Sequence, residues 1–188
     1  VDLSAFYFDI RKDNLYCDNK DSNKRKSTIK VLNIILNSLL KWFAPILSFT
    51  TEEIFSLLNH EKKNSIHLKK FPEFPKSWKN EELDKNWIKI NRIRDSVNIS
   101  IEEKRAAKVI GSSLETAIDI KLNKELYDLA KKYDFSEICI TSVANVMLDE
   151  KIKDQIDVKT SKAKGKKCNV CWKISETECE RHPISNFK

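Results

Sequence analysis

Apolar residues in the first half of the chain recur at intervals of three and four. Leu3, Phe6 and Ile10 have this spacing near the N-terminus. A longer series follows between residues 29 and 43, namely Ile29, Leu32, Leu36, Leu39, Leu40 and Phe43. Such spacing places apolar side chains on one face of an α-helix. The pattern therefore predicts two amphipathic helices in this region.

Pro45 interrupts the second series. Proline lacks a backbone N–H and clashes with the preceding turn, so it ends or kinks a helix. Directly afterwards, Thr50 and Glu53 have the spacing of a capping box, in which each side chain binds the other residue's backbone N–H. We therefore predict that a new helix is capped by Thr50, ahead of the apolar residues Ile54, Phe55, Leu57 and Leu58.

A longer helix is predicted from about Glu81 to Lys108, after a loop that contains Pro72 and Pro75. Its apolar stripe has the spacing of a buried helix face and consists of Trp87, Ile90, Ile93, Val97 and Ile101. Gly111 is expected to end this helix as a left-handed C-terminal cap.

A polar row follows one edge of that stripe. At about 100° per residue, Asn91, Arg94, Asn98 and Arg105 fall within a narrow sector of the helix. Arginine can bind phosphates with two N–H groups and asparagine can bind base edges, so the row predicts an RNA-binding surface. The alternative is a solvated flank in which Glu102 pairs with Arg105.

The periodicity changes after Leu114. Residues 116–122 alternate like a half-buried strand, and Asn123 can cap a short helix. Residues 137–141 and 145–148 are predicted as further strands, with an edge strand around Ile156 and Val158. These elements predict a small α/β unit in which Cys139 is a buried apolar residue rather than a nucleophile.

The C-terminal region combines a basic segment with a cysteine cluster. Residues 159–167 include five lysines and few apolar residues, so we predict a solvated linker. The cluster that follows is Cys168-x-x-Cys171-Trp172 and then Cys179-x-x-His182. In a reducing cytosol this pattern favours a tetrahedral zinc site over disulfides, because thiolates and imidazole are ligands that zinc prefers. A segment so short and polar also needs a metal to fold.

Composition allows a nucleic-acid partner without proving one. The chain has 188 residues, 40% of them hydrophobic, and a net charge of +7. This charge suits a polyanion. It also fits a biased genome, since lysine, asparagine and isoleucine are abundant and only two residues are glycine. No apolar run approaches the roughly 20 residues of a membrane span. The chain begins at Val1 and its one methionine is Met147, so we expect a C-terminal fragment.

Two segments closely resemble bacterial isoleucine–tRNA ligases. Residues 6–16 are similar to the family's Phe-Tyr-x-Asp-Ile-x-Lys-Asp-x-Leu-Tyr, and residues 42–53 to its Trp-x-Ala-Pro-Ile-Leu-x-Phe-Thr-x-Glu-Glu. Residues 92–115 look like the next landmark of the family. The resemblance implies a mainly α fold. The implied order is a helical-bundle anticodon-binding domain (1–111), a small α/β unit (112–158), a basic linker (159–167) and a zinc-binding module (168–188).

The resemblance also implies a function. The intact protein would attach isoleucine to its tRNA with ATP, and this part would recognise the anticodon arm. We expect the tRNA for isoleucine as partner, catalytic and editing domains upstream in the same chain, a cytoplasmic monomer and no membrane. The His-x-Gly-His and Lys-Met-Ser-Lys-Ser signatures are missing, so no catalytic residue and no ATP site are assigned here. His60 and His67 are interpreted as surface histidines.

The family's zinc module begins with Cys-x-x-Cys-Trp, which Cys168, Cys171 and Trp172 match, and continues with a second Cys-x-x-Cys. This chain has Cys179 and His182 there instead. Three interpretations stay open: these two residues complete the site, the last two ligands lie beyond the chain, or the site has decayed. Two other functions also stay open, a related synthetase for valine, leucine or methionine, and a free-standing basic zinc-binding nucleic-acid module.

Overall fold

The structure, a computed structural model, describes residues 2–58, 64–153 and 155–183. The chain divides into two compact units. The smaller unit is Asn14–Lys79, and the larger one combines Val1–Asp13 with Asn80–Lys188. The predicted helical domain, residues 1–111, is therefore shared between the two units, and its longest helix lies in the same unit as the sheet.

The smaller unit contains two long helices. These are α2 (Asn23–Phe43) and α3 (Ser48–Leu58). The preceding helix, α1 (Asp9–Cys17), follows a π-helical segment (Asp2–Phe8) and passes from the larger unit into the smaller one. Its buried apolar cluster is Leu40, Ala44, Phe55 and Ile66. The Glu52 carboxylate accepts hydrogen bonds from Ser65 Oγ at 2.8 Å and from Ile66 N at 2.9 Å. These bonds fix the segment after α3 against that helix.

The capping box predicted at Thr50 is wrong, because α3 begins at Ser48. Pro45 lies in the turn between α2 and α3, as its missing N–H requires. The first helical residue is thus Ser48, three residues earlier than the local motif indicates. Thr51 is buried, and its hydroxyl donates to the Leu47 carbonyl at 2.9 Å.

The larger unit is built around α4 (Glu81–Ala106). The side chain of Asn80 caps its N-terminus by accepting a hydrogen bond from Leu83 N at 2.9 Å. The predicted apolar stripe is confirmed, since Ile90, Ile93, Val97 and Ile101 are all buried. The cap predicted at Gly111 is wrong: the left-handed residue after the helix is Lys108, with φ of 56°.

A three-stranded sheet packs with α4 in a single core. β1 (Thr116–Leu122) is central, parallel to β2 (Val143–Leu148) and antiparallel to β3 (Asp157–Lys162). The alternation in β1 buries Ile118, Ile120 and Leu122 completely. The crossover from β1 to β2 contains α5 (Lys124–Ala130), capped by Asn123, and α6 (Phe135–Ile138).

The strand predicted at residues 137–141 is wrong. Asp134 caps α6 by accepting hydrogen bonds from the backbone N–H of Ser136 at 2.9 Å and of Glu137 at 3.3 Å. Periodicity alone does not separate a buried strand from a short buried helix, and here the N-cap at Asp134 favours the helix. Cys139 is buried, as predicted, and burial raises the pKa of its thiol to about 12.

The linker predicted at residues 159–167 is replaced by β structure. Residues 157–162 form β3, and β4 (Lys166–Lys167) pairs with β5 (Ile174–Ser175). Thr160 is buried against α4, where its hydroxyl lies 2.8 Å from Ser100 Oγ. The lysines of β3 are exposed on its solvated face. Because such a strand is rich in polar residues, its composition is the same as that of a linker.

Across residues 2–58, 64–153 and 155–183, no helix has both the length and the apolar character needed to cross a bilayer.

Candidate metal centre and nucleic-acid interface

The four predicted metal ligands meet at one point of the larger unit. The Sγ atoms of Cys168, Cys171 and Cys179 and a ring nitrogen of His182 all lie within 4.8 Å of one another. Cys168 follows β4 directly, and its backbone closes a tight turn: Trp172 N donates to Cys168 O at 3.0 Å, and Cys168 N donates to Lys173 O at 2.9 Å. This turn brings the first two thiols to the same side.

The distances within this group fit a tetrahedral zinc ion. Cys171 Sγ lies 3.7 Å from Cys179 Sγ, and His182 Nδ1 lies 3.6 Å from Cys168 Sγ and 3.5 Å from Cys179 Sγ. Zinc with Zn–S bonds of about 2.3 Å and Zn–N bonds of about 2.0 Å separates two sulfurs by about 3.8 Å, and a sulfur from a nitrogen by about 3.5 Å. The residues present therefore suit the ion, through Nδ1 of His182.

The electrostatics of the metal-free cluster favour one thiolate. Burial opposes ionisation of Cys168, but hydrogen bonds from the backbone N–H groups of Cys171 and Val170 and from the Cys171 and Cys179 thiols together lower the pKa of this thiol to about 6. Burial and the neighbouring thiols raise the pKa of Cys171 to about 12. A cation placed among the three sulfurs would lower the pKa of each thiol by stabilising its thiolate.

Hydrogen bonds attach the cysteine module to the rest of the larger unit. Ser142 Oγ accepts a bond from Ile174 N at 2.6 Å and donates one to Leu114 O at 2.5 Å. Arg181 also pairs with Asp13, with Nη1 and Oδ2 2.7 Å apart. The module is thus fixed to the sheet side of this unit. The other two cysteines, Cys17 and Cys139, are not in the described group of ligands.

The predicted RNA-binding row lies on α4, but its members differ in exposure and in the residues that they contact. Arg94 is half-buried, its Nε donates to Ile138 O at 3.2 Å, and its guanidinium lies 4.8 Å from the centre of the Phe6 ring. Arg105 is exposed and pairs with Glu102 at 2.5 Å, the contact expected of a solvated flank. Asn91 and Asn98 are half-buried. RNA binding by this row stays a prediction, and Arg94 has a structural role.

Arg94→Ala is expected to lower the free energy of unfolding by about 1–3 kcal/mol, because it removes a donor from the Ile138 carbonyl and a cation from the Phe6 ring. Urea denaturation of the purified variants measures the change. Arg105→Ala is the matched control, and its exposed ion pair should contribute less than about 1 kcal/mol. Equal destabilisation by the two substitutions would contradict the structural role of Arg94.

The histidines predicted to lie at the surface are not part of the cluster. His67 is exposed, with Nε2 3.3 Å from Ser48 O. His60 lies outside the described residues.

The amino-acid sequence of this chain is similar to those of known tRNA ligases. A family model described as the anticodon-binding domain of tRNA ligase matches residues 1–122. The isoleucine–tRNA ligase of Pelagibacter ubique is 63% identical over 182 residues, which are 97% of this chain and 20% of that protein. The isoleucine–tRNA ligase of Agrobacterium fabrum is 42% identical over 93% of this chain and 19% of its own length. The chain thus spans about one fifth of these relatives and matches their C-terminal region.

Proposed function

The chain belongs to the family of anticodon-binding domains of tRNA ligases, and we propose that it is the part of an isoleucine–tRNA ligase that holds the anticodon arm of the tRNA. The observation that carries this proposal is the 63% identity to one such ligase over 97% of the chain. The intact protein would join isoleucine to its tRNA with ATP, and this part would bind RNA without taking part in the chemical step.

We propose zinc as the metal of the Cys3His cluster. Four protein ligands fill a tetrahedral coordination shell, so the ion would stabilise the module and leave no open position for water or substrate. The inter-ligand distances support Cys168, Cys171, Cys179 and His182 as the complete set. The module would then present a folded surface, with exposed Lys166 and Lys167, next to the sheet.

The proposed partner is consistent with how proteins select RNA. The deep major groove of an RNA helix hides its base edges, whereas the unpaired bases of a loop can be stacked upon and read. Lysine and arginine supply most of the affinity by displacing counterions from phosphates. An anticodon loop offers both features, namely unpaired bases and phosphates.

Binding to an isoleucine tRNA is expected to depend on the anticodon loop. Replacing the anticodon bases of that tRNA should weaken binding about tenfold, which corresponds to losing one base contact. Fluorescence anisotropy with labelled tRNA at several salt concentrations measures both the affinity and its salt dependence.

A valine tRNA and a methionine tRNA serve as controls for the related synthetases. Equal affinity for all of these RNAs, including the isoleucine tRNA with altered anticodon, would overturn the proposed recognition. Tighter binding of the valine or methionine tRNA would assign the chain to another synthetase.

A further inference from the structure

Nearly all of the net positive charge of the chain lies in the smaller unit. Residues 14–79 include twelve lysines or arginines and six aspartates or glutamates, which gives a formal charge of +6 out of +7 for the whole chain. Concentrated positive charge attracts a polyanion to the part of the surface that carries it. The smaller unit is therefore the favoured place for RNA.

An open groove of about 510 Å³ runs along α2 in this unit. Residues of α2 spaced by three or four form one side, and the loop that leads to α4 forms the other. The polar and aromatic members of the lining are Lys26, Lys30, Asn33, Asn37, Ser38, Glu73, Phe74 and Trp78.

The aromatic side of the groove is a continuous surface that faces solvent. The ring centre of Phe74 lies 5.8 Å from that of Trp78 and 6.1 Å from that of Trp42. Trp78 is 58% exposed and Phe74 is 44% exposed. Rings held by neighbouring rings and still open to solvent are typical stacking surfaces for the bases of single-stranded RNA.

The opposite side supplies cations and amides. Lys30 makes no ion pair with any residue that the structure describes. Among those residues, Lys26 pairs with Asp21 alone, at 3.1 Å, and the Asp21 side chain is 92% exposed. Such an exposed pair is weak and can give way to a phosphate. Asn37 Nδ2 donates to Asn33 O at 2.8 Å, which leaves the Asn37 side-chain oxygen as an acceptor.

Glu73 also lines the groove. Its carboxylate would repel a phosphate but would accept hydrogen bonds from the amino groups of a base. The groove therefore has a cationic side that suits RNA phosphates, and a hydrogen-bond acceptor near the aromatic side that suits a base.

We propose that this groove binds one unpaired nucleotide of RNA, with the base stacked on Trp78 and Phe74 and the flanking phosphates on Lys26 and Lys30. The proposal rests on the proposed function and gives it a location in the smaller unit. A base inside a duplex does not fit, because its faces are already stacked on its neighbours. The lysines and the local charge favour RNA over a protein segment as the occupant.

The test measures binding of the purified chain to two RNAs, a hairpin with the anticodon stem and loop of an isoleucine tRNA and a fully paired duplex of equal length. Trp78→Ala should weaken hairpin binding about tenfold and leave duplex binding unchanged. Trp78→Phe keeps an aromatic face and should retain most of the affinity. Phe49→Ala is the matched control, since Phe49 is a 92% exposed aromatic residue of the same unit that does not line the groove.

A second measurement tests the phosphate contacts. Lys30→Gln should reduce the log–log salt slope for the hairpin by about 0.7, the value for one phosphate contact to a single strand. Lys70→Gln is the control, because Lys70 is exposed and does not line the groove.

The outcomes separate this proposal from the proposed function. If Trp78→Ala binds the hairpin as tightly as Phe49→Ala does, the nucleotide site is overturned, even if isoleucine tRNA is still preferred. If Trp78→Ala loses affinity equally for hairpins from several tRNAs that the wild-type chain binds alike, the groove is supported and the isoleucine assignment fails.

Discussion

Cys168→Ser and Cys171→Ser should each remove zinc from the purified protein and unfold the module that contains them. Structural zinc contributes about 10–16 kcal/mol of binding free energy, and in so small a segment this energy is the folding energy. Loss of one thiolate from a closed tetrahedral site is therefore the largest single effect expected in this chain. Zinc content after dialysis, and trypsin cleavage after Lys173, which is half-buried in the folded module, measure the two consequences.

Cys17→Ser is the control for this experiment, because Cys17 is not one of the four clustered ligands and its replacement should leave one zinc per molecule. Zinc-free wild-type protein in which Lys173 still resists trypsin would contradict the metal-dependent fold.

His182 gives the sharper test of the ligand set. His182→Ala should weaken zinc binding by at least a hundredfold, since Nδ1 lies as far from two of the sulfurs as ligands of one tetrahedral zinc ion do. His182→Cys should keep the metal, because thiolate is an equally good ligand at this position. Unchanged affinity in His182→Ala would show that the fourth ligand lies elsewhere.

Gly165→Ala should prevent the β4–β5 pairing and weaken zinc binding by a factor of about 100 or more. Gly165 has φ of 118°, and a Cβ built there would lie 2.0 Å from the carbonyl oxygen of Ser175. A side chain at this φ costs about 1–3 kcal/mol by itself, and the backbone of β5 must also move away. Zinc titration with a competing chelator measures the loss.

The second glycine of the chain provides the control. Gly111 has no positive φ, and its added Cβ would only touch the Glu115 carboxylate at 3.7 Å. Gly111→Ala should therefore bind zinc as the wild type does. Equal zinc affinity in the two glycine variants would show that β5 does not approach Gly165 so closely in solution.

Local patterns predicted several elements well. The buried stripe of α4 and the alternation of β1 follow from the helical and extended repeats of neighbouring residues, and Asn123 caps the helix that follows it, as predicted. The Cys168-x-x-Cys171 spacing predicted that two thiols lie close enough to share one ion, and their sulfurs lie within 4.8 Å of each other; the zinc itself stays a prediction. Each of these predictions depends on residues within a few positions of one another.

Predictions failed where distant residues compete. Residues 157–162 have the lysine content of a linker, but their backbone pairs with β1 as an antiparallel strand. The Thr160 hydroxyl also hydrogen-bonds to the Ser100 hydroxyl of α4. RNA binding by the row that includes Arg94 stays a prediction, but periodicity gave no sign that this side chain contacts Ile138 and Phe6 within the protein. The groove along α2 was also missed, because Phe74 and Trp78 reach it from a loop more than thirty residues away in the sequence.

The sequence by itself determined the helices with strong periodicity, the resemblance to isoleucine–tRNA ligases and which four residues are candidate metal ligands. The tertiary structure decided that His182 Nδ1 lies beside Cys168 and Cys179, that β3 completes the sheet, and which arginine is used for packing. The physical reason is the distance along the chain over which each kind of interaction acts. Dihedral preferences and caps act between neighbours, while burial, strand pairing and metal geometry join residues whose separation no local pattern records.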